Sequence, residues 1–229
     1  MTDMRQYKLY DYWRSSAAFR VRIALNLKGL DYVQESVHLV RDGGEQHQAA
    51  FHSLNPQERV PVLEVLEPGR GDAPPVLVTQ SLTIIEYLNE QSPEPSIYPA
   101  DLSLKSKVHA FAQAIACDIH PLNNLSVLQY LQSPLQISAE QQQAWYEHWI
   151  ATGFRALEET LQPFIGLGSY CFGPDPTLAD IMLVPQAYNA HRFKCSMETY
   201  PRINQIYESC LQHEAFSRAL PENQPDAPE

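Results

Sequence analysis

The fold is decided by the stretch Tyr12-Trp13-Arg14-Ser15-Ser16-Ala17-Ala18-Phe19-Arg20-Val21-Arg22-Ile23-Ala24-Leu25, in which a short strand runs directly into a helix. Residues 7–12, before the junction, alternate as a strand does, and after it apolar side chains recur every fourth residue until Gly29 supplies a stop. Ser15 or Ser16 is therefore predicted to cap the N-terminus of the helix.

A strand-to-helix junction of this kind can hold an anion. The first backbone N–H groups of a helix lack partners, and the helix dipole places about half a positive charge at the same end. A serine hydroxyl aimed at a bound thiol could donate a hydrogen bond to the thiolate and lower the thiol pKa, whereas Arg14 could hold a carboxylate with its fork of donors. The alternative is a serine that only caps the helix.

Length and charge bound the class of protein. The 229 residues suit one large or two small domains, and a hydrophobic fraction of 44% permits a proper core. Sixteen Lys and Arg against 27 Asp and Glu give a net charge of −11, which disfavours nucleic acid or an anionic membrane as a partner for the surface as a whole. Residues 1–6 are polar, and no apolar run is long enough to span a bilayer. These features predict a cytoplasmic protein.

The spacing of cysteine and histidine gives no sign of a metal site. The four cysteines are scattered without a Cys-x-x-Cys pair, so reduced and mostly buried thiols are expected rather than a zinc cage or a disulfide framework. His47 and His52 stand five apart beside glutamines, and a solvated helix face explains them better than metal ligation. We predict no bound metal.

The first ninety residues mix strand and helix signals. After the opening strand and helix, residues 31–39 are rich in β-formers and predict a second strand, which a short helical piece follows at residues 45–51. The later elements, in order, are a strand at 62–66, a turn-forming stretch at 67–75, a strand at 76–79 and a helix from Gln80-Ser81. The order predicts an α/β domain of the thioredoxin kind over residues 1–90.

The rest of the chain reads as helical. Residues 91–99 carry three prolines and are interpreted as an interdomain linker, which leads into an all-helical domain at residues 100–220. Its signals are helical periodicity at 102–131, 139–161 and 203–211, a loop at 166–173, and a capping box at Thr177-Leu178-Ala179-Asp180 before the apolar run 181–184. Residues 221–229 are polar and proline-rich, which predicts a flexible tail.

Two further positions could contribute to a ligand groove. A cis Val60-Pro61 bond would turn the Val60 backbone outward to pair with an extended peptide, although a trans proline at a strand start is the commoner arrangement. Gln80-Ser81 is a second strand-to-helix junction with a polar pair at the cap, and it would lie beside the first junction in a thioredoxin-like sheet. Two helix N-termini would suit a small peptide with a carboxylate and a thiolate, although each alone could be only a cap.

These residues resemble the zeta-class glutathione transferases, whose best-known activity is maleylacetoacetate isomerisation. The resemblance covers nearly the whole chain. It rests on Arg14-Ser15-Ser16, Arg20-Val21-Arg22-Ile23-Ala24-Leu25, Asp42-Gly43-Gly44, Asn55-Pro56, Val60-Pro61, Gln80-Ser81, Pro121-Leu122-Asn123-Asn124-Leu125-Ser126-Val127-Leu128, Thr177-Leu178-Ala179-Asp180, Leu183-Val184-Pro185-Gln186 and Arg192-Phe193-Lys194.

The resemblance implies the glutathione transferase fold, an α/β thioredoxin-like N-terminal domain that binds the cofactor glutathione and an all-α C-terminal domain that helps bind the substrate, in a homodimer. It assigns Ser15 to the glutathione thiol with Ser16 at the same junction, Gln46 and Val60 to the peptide backbone, Gln80 and Ser81 to the γ-glutamyl end, Asn124 and Ser126 to the helical-domain side, and Arg14 and Arg192 to substrate carboxylates. For Arg192, an ordinary surface ion pair is the alternative.

The implied chemistry is a cis-to-trans isomerisation by reversible addition of the glutathione thiolate to a conjugated double bond. Two positions depart from the eukaryotic pattern. Ala17 replaces a cysteine, so a covalent role for a cysteine there is excluded, and His120 stands where glutamine is usual. His120 could donate to glutathione or shuttle a proton, or it could be structural.

Several functions remain open at this level. The first is conversion of maleylacetoacetate to fumarylacetoacetate in tyrosine and phenylalanine breakdown, which Leu125-Ser126 favours over maleylpyruvate isomerisation because the maleylpyruvate enzyme carries an arginine pair there. A general glutathione transferase acting on α-halo acids and a non-catalytic binding protein of the same fold are the others. Retention of Ser15, Ser16 and Gln80-Ser81 argues against a non-catalytic protein.

Overall fold

The structure, a computed structural model, describes residues 5–67 and 74–228. Contacts between residues divide the chain into two units. One contains the residues up to Pro95 together with those from Glu214 onward, and the other is Ser96–His213. The return of the C-terminal residues to the first unit differs from the expectation that the helical domain runs to residue 220.

The first unit is built on a mixed sheet, as the sequence predicts. Its strands in the described residues are β1 (Gln6–Asp11), β2 (Tyr32–Ser36), β3 (Val62–Leu66) and β4 (Val76–Thr79), in the spatial order β2-β1-β3-β4. β1 and β2 are parallel and are joined through helix α1 (Ser16–Leu27), whereas β3 is antiparallel to both β1 and β4. Helices α2 (Ala49–Leu54) and α3 (Ser81–Gln91) complete the thioredoxin-like arrangement.

Helix α1 is the central helix of this unit. Its residues from Ala18 to Leu25 are buried, which includes the two arginines Arg20 and Arg22. The helix ends at Leu27 because Gly29 takes a left-handed conformation, with φ of +61°, that a side chain would strain. Helix α3 packs against α1.

Two differences from the predicted elements have local causes. β2 ends at Ser36 rather than residue 39, because Ser36 pairs with Asp11, the last residue of β1. The predicted helix at 45–51 is a 3₁₀ turn at Glu45–His47 followed by α2, with Gln48 extended between them. Of the predicted turn at 67–75, residues 68–73 lie outside the described part of the chain.

The second unit is helical. Its longer helices are α4 (Leu102–Gln113), α5 (Leu125–Gln132), α6 (Ala139–Leu161), α7 (Leu178–Arg192) and α8 (Pro201–Leu211). The predicted helical segment 102–131 is interrupted by a π-helical turn at Ala114–Ile119 and a 3₁₀ turn at His120–Asn123. Pro121 explains the break, since it lacks the N–H that a continuing helix needs. The predicted capping box at the start of α7 is present.

The C-terminal segment makes packing contacts and hydrogen bonds within the first unit, whereas its composition predicts a flexible tail. Helix α9 (Glu214–Ser217) packs on α1, and a 3₁₀ turn follows at Pro221–Asn223. Gln224 is buried, and its Nε2 donates to the carbonyl oxygens of Arg218 at 3.0 Å and Leu220 at 2.7 Å. A polar side chain that fills its hydrogen bonds inside the fold does not produce the solvated tail that composition alone suggests.

Histidine and cysteine are placed as follows. His47 and His52 are exposed, but both rings pair with the Glu58 carboxylate, at 2.6 and 2.9 Å, which the reading as a solvated helix face did not anticipate.

Cys117 is exposed and the other three cysteines are buried, and all four are free thiols. Across residues 5–67 and 74–228, no cluster of His, Cys, Asp and Glu is arranged to hold a metal ion, and no helix is long and apolar enough to cross a membrane.

Candidate active site

Three chain segments of the first unit adjoin the same end of the sheet, where β1 and β4 end and β3 begins. Tyr10 of β1 pairs with Val62 of β3, and Val62 pairs in turn with Thr79 of β4. The segments after β1, before β3 and after β4 therefore begin side by side. They carry the predicted site residues Arg14, Ser15, Ser16, Val60, Gln80 and Ser81.

Ser15 is the N-cap of α1. Its backbone is extended, its N–H donates to the Tyr12 carbonyl at 2.8 Å, and its Oγ accepts from the Ala18 N–H at 3.3 Å. Accepting that bond leaves the hydroxyl proton of Ser15 able to donate elsewhere. Ser16, the first residue of the helix, is buried. Ser15 is therefore partly exposed and can donate its hydroxyl proton to a ligand, whereas Ser16 is buried.

Arg14 packs against the rings of the two aromatic residues that precede it. Its guanidinium carbon is 5.3 Å from the ring centre of Trp13 and 6.0 Å from that of Tyr12. Cation–π contacts of this length hold the half-buried side chain without neutralising its charge. The positive charge next to Ser15 is available to an anionic ligand.

A buried ion pair between Asp11 and Arg22 holds the backbone of the segment between β1 and α1. Arg22 Nη1 lies 2.9 and 2.8 Å from the two carboxylate oxygens of Asp11, and both side chains are fully buried. Arg22 Nη2 donates to the Trp13 carbonyl at 3.0 Å, and Gln34 Nε2 donates to Asp11 at 2.9 Å. The backbone at Trp13, two residues before Ser15, is thereby tied to the core. Burial raises the pKa of Asp11, and the Arg22 guanidinium opposes that rise.

The second junction differs in detail from the prediction. Gln80 precedes α3, but its side chain does not cap the helix; its Nε2 donates instead to Gln57 Oε1 at 2.7 Å. Gln80 has φ of 68°, a left-handed conformation that a non-glycine residue adopts at a cost of about 1–3 kcal/mol. Such strain is typical of ligand-contacting turns. Ser81 is buried, and Arg20 Nη1 donates to its Oγ at 3.4 Å, so Arg20 links α1 to the start of α3.

Val60, just before β3, and Gln46, in the 3₁₀ turn before α2, are the remaining predicted site residues of the first unit. Val60 is buried, and its bond to Pro61 is cis, the arrangement that the sequence left open. Gln46 is also buried, with Nε2 donating to the Leu39 carbonyl at 3.3 Å, while its Oε1 has no hydrogen-bond partner among the described residues. A buried amide oxygen without a donor is a position where a ligand N–H would be stabilised.

Gly44 explains part of the Asp42-Gly43-Gly44 motif. It has φ of +103°, and a Cβ built there would lie 2.5 Å from Gln46 Nε2. Glycine at this position is therefore what allows the Gln46 side chain to fold back against the backbone.

The other predicted residues belong to the second unit. Asn124 caps α5 by accepting from the Ser126 N–H and hydroxyl, both at 3.0 Å, and His120 opens the half-buried 3₁₀ turn before it. Exposed Arg192 ends α7 and stacks over the Phe193 ring at 4.6 Å. Asn124 and Ser126 thus have a structural role whether or not they also contact a ligand.

Tyr146 of α6 connects the surroundings of these residues. Its carbonyl accepts from Asn123 Nδ2 at 3.3 Å, and its ring stacks on Phe193 at 3.9 Å. Burial raises the Tyr146 pKa, and Arg192 opposes the rise. The segment before α5 and the end of α7 are therefore both fixed by the same residue of α6.

Sequence reasoning missed the support of the serine loop. Asp11, Arg22 and Arg20 were not recognised as site residues. The available signal was the pair of arginines on an otherwise apolar helix, because a buried guanidinium needs an acceptor. The partner Asp11 could not be deduced from spacing.

A thioredoxin-like unit with a serine hydroxyl at the start of its first helix, followed by a helical unit, defines the architecture of a glutathione S-transferase. Residues 9–96 match the family model described as the glutathione S-transferase N-terminal domain. The chain is 50% identical to the probable maleylacetoacetate isomerase of Vibrio cholerae serotype O1, over 96% of this chain and 97% of the relative.

Two solved structures extend the comparison. The holo structure of maleylpyruvate isomerase, a bacterial zeta-class glutathione S-transferase, has a TM-score of 0.88, 42% identity, and coverage of 96% of this chain and 100% of its own. Maleylacetoacetate isomerase from Anaeromyxobacter dehalogenans 2CP-1, with dicarboxyethyl glutathione and citrate in its active site, has a TM-score of 0.86, 41% identity, and coverage of 98% and 99%. The chain belongs to the zeta class of glutathione S-transferases, the family of the maleylacetoacetate isomerases.

Proposed function

We propose that this protein is a glutathione-dependent cis–trans isomerase that converts maleylacetoacetate to fumarylacetoacetate. The observation that carries the proposal is the position of Ser15, whose hydroxyl stands at the N-terminus of α1 with its proton free to donate. Relatives that carry the name maleylacetoacetate isomerase support it, at 42–50% identity over 96% of the chain.

The donors and acceptors at this end of the sheet fit glutathione. Ser15 would hold the sulfur, the strained turn at Gln80 and the buried Ser81 would receive the γ-glutamyl end, and Val60 would face the peptide backbone. The unpartnered Oε1 of Gln46 matches a peptide or amino N–H. From the resemblance, we also assign His120, Asn124 and Ser126 to glutathione binding.

When bound, glutathione supplies a thiolate that adds to the cis double bond, permits rotation about the resulting single bond and leaves again unchanged. Ser15 lowers the pKa of the thiol by donating a hydrogen bond to the sulfur, and the N–H groups of α1 add positive potential. Ser16 maintains the same junction from its buried position. No cysteine is needed in this scheme, since Ala17 takes that position.

The two arginines provide charge for the substrate. Arg14 packs against two aromatic rings beside Ser15, where its guanidinium can pair with a carboxylate of the substrate and help stabilise negative charge on the adjacent oxygen. We assign the second carboxylate to Arg192, from the resemblance. Both ends of a diketo dicarboxylic acid would then be recognised.

Maleylpyruvate is the second candidate substrate. A maleylpyruvate isomerase is among the similar solved structures, at 42% identity, and a shorter keto acid would use the same thiolate and arginines. Displacement of halide from α-halo acids requires the same groups and is the third candidate reaction. Rates on the three substrates at saturating glutathione distinguish these functions. A kcat/KM for maleylacetoacetate well above the other two is expected, and a preference for maleylpyruvate or a halo acid would reassign the function.

We further propose a cytoplasmic homodimer that acts in tyrosine and phenylalanine breakdown. Four free thiols suit a reducing compartment, in which glutathione is also reduced. Light scattering of the purified protein tests the dimer, with twice the chain mass of 26.0 kDa expected. Accumulation of the maleyl acid after deletion of the gene tests the pathway.

A further inference from the structure

The C-terminal residues form a strap across the unit that carries Ser15. We define this strap as residues 214–228. Its first part is anchored on α1, where Asn26 Nδ2 donates to the Ala215 carbonyl at 3.0 Å and Arg22 Nε donates to the Ala219 carbonyl at 3.1 Å. Buried Gln224 then turns the chain by donating to two carbonyls of the strap. The strap ends over the loop that follows β1.

Asp226 is the strap residue that contacts this loop. Its Oδ2 accepts from the Trp13 backbone N–H at 3.0 Å and from the Ser36 hydroxyl at 2.9 Å. The contact joins residues 213 positions apart in the sequence. Asp226 Oδ1 is buried and has no hydrogen-bond partner in the described part of the chain, so the hydrogen bonds of Asp226 run through Oδ2.

The peptide groups of Trp13 are held from two sides. Its N–H donates to Asp226, and its carbonyl accepts from Arg22 of the buried ion pair. The Ser15 N–H closes the same turn on the Tyr12 carbonyl at 2.8 Å. With Trp13 fixed at both ends, the direction of the next two residues, Arg14 and Ser15, is fixed as well.

We propose that Asp226 is a positioning residue for thiol activation, which keeps the Ser15 hydroxyl aimed at the sulfur of glutathione. The inference rests on the proposed function for the ligand, glutathione, and for the role of Ser15, but not for the substrate. An aligned hydrogen bond to a charged acceptor is strongly directional, and a loop that can shift loses part of it. A strap from the far end of the chain thereby contributes to the chemistry without touching the ligand.

The test compares Asp226→Ala with Asp226→Asn. Alanine removes the acceptor for the Trp13 N–H, whereas asparagine keeps an amide oxygen in the same place. The pH titration of the thiolate absorbance of bound glutathione measures the thiol pKa directly. In Asp226→Ala, we expect that pKa to rise by about one unit, with kcat at neutral pH lower by about tenfold. Asp226→Asn should recover most of both.

Binding of S-methylglutathione separates positioning from general damage. This analogue has no thiol proton, so its affinity should stay within about twofold in all variants if only the alignment of Ser15 changes. Glu214→Gln, at an exposed carboxylate of the same strap, is the matched control and should titrate as wild type. If Asp226→Ala does not fold, Asp226→Ser, whose hydroxyl is too short to replace the carboxylate, is expected to show the same rise.

Each result bears on the inference. An unchanged thiol pKa in Asp226→Ala overturns it, as does an equal loss of S-methylglutathione binding or a failure of asparagine to rescue. A wild-type protein that lowers the thiol pKa of glutathione but does not isomerise maleylacetoacetate would remove the proposed function and leave the role of Asp226 standing. A wild-type protein that leaves the thiol pKa unchanged would remove the role of Asp226.

Discussion

At the scale of single residues, Ser15 caps α1, and its geometry also permits the thiol-activating role that we propose for it. The hydroxyl accepts from Ala18 and so caps α1, and the same hydroxyl keeps its own proton for a ligand. A helix cap and a thiol-activating donor are therefore compatible in one side chain. The two roles make different predictions for substitution.

Ser15→Ala should lower kcat with glutathione by about 10- to 100-fold, because it removes one hydrogen bond to a charged sulfur. Ser16→Ala should have a far smaller effect on kcat, since Ser16 is buried behind the junction. Ser15→Thr keeps the hydroxyl and should retain much of the rate. Steady-state kinetics at saturating glutathione measure all three.

The control for lost capping is Ser138→Ala. Ser138 caps α6 in the second unit, accepting from Gln141 N–H at 3.2 Å. It should cost about 1 kcal/mol of stability, as Ser15→Ala does, but leave kcat unchanged. Equal and small kinetic effects of the Ser15 and Ser138 substitutions would show that capping is all that Ser15 does.

The polar residues of this candidate site are easier to predict from the sequence than the buried residues that hold them in place. Ser15, Gln80 and Ser81 stand at strand-to-helix junctions, and junctions can be located from periodicity. Asp11 and Asp226 act through contacts that no local pattern records, the second of them 213 residues away from its partner. Gln46 and Asn124 were assigned to the site by the resemblance alone. Their hydrogen bonds within the protein could not be predicted from that assignment.

At the scale of secondary-structure elements, α7 depends on its buried capping box. Asp180 is fully buried and accepts from the Thr177 N–H at 2.8 Å, the Thr177 hydroxyl at 3.0 Å and the Cys171 N–H at 2.8 Å. Both the start of the helix and the preceding loop are therefore fixed by one carboxylate.

Asp180→Ala should destabilise the protein by about 3 kcal/mol or more, because it leaves three buried donors without an acceptor. Urea unfolding followed by circular dichroism measures the change. Asp175→Ala, at an exposed carboxylate of the same loop, should be nearly neutral. A loss below about 1 kcal/mol in Asp180→Ala would contradict the assigned role of the capping box.

A second element-scale feature is the cluster in which Glu58 joins His52 of α2 to His47. Hydrogen bonds from His47 and His52 lower the pKa of Glu58 below its ordinary value of 4.5. A carboxylate with a lowered folded-state pKa stabilises the fold above the unfolded-state pKa, and this contribution is lost as the pH falls through the folded-state value.

Glu58→Gln should therefore reduce stability at pH 6, and the difference from wild type should shrink as the pH falls below 4.5. The effect is small because the cluster is exposed. Urea unfolding at a series of pH values measures it, with the exposed Glu90→Gln as the control. A difference that grows in acid would contradict the sign.

The ends of a strand were predictable where turn-forming residues or a strand-to-helix junction directly flank it. β3 and β4 begin and end at the predicted residues, since turn formers or junctions bound them. β2 is shorter than predicted because its end depends on where β1 ends, and the helical region after residue 113 depends on packing around Pro121. Tertiary partners, rather than propensity, decide these cases.

At the scale of the whole molecule, the thiols divide by burial. Cys117 is exposed, whereas burial raises the pKa of Cys171 and Cys210 well above the ordinary value and that of Cys195 to about 11. A thiol with a pKa of about 11 is almost entirely protonated at pH 8, and the thiolate is the reactive form.

Alkylation of the native protein with iodoacetamide at pH 8 should therefore label Cys117 first and the other three cysteines only after denaturation. Intact mass and peptide mapping count the labelled sites. Cys117→Ser should take up almost no label in the native state. Rapid labelling of Cys171 or Cys210 in the folded protein would contradict their buried positions.

The same scale contains the strongest agreement between sequence and structure. The order of strands and helices predicts a thioredoxin-like sheet followed by a helical unit, and this is the fold. The course of the chain after Glu214 was not predictable, because a polar and proline-rich composition is also what a surface strap has. Its contacts with α1 and the Trp13 peptide give it a place in the fold.

The most direct test of the central claim is isomerisation of maleylacetoacetate by the purified wild-type protein, measured with and without glutathione. Turnover should rise with glutathione to saturation, fall to the background rate without it, and leave the glutathione concentration unchanged. S-methylglutathione, which occupies the site without a free thiol, should inhibit. Isomerisation that persists at full rate without glutathione would contradict the assignment of Ser15 as the residue that activates its thiol.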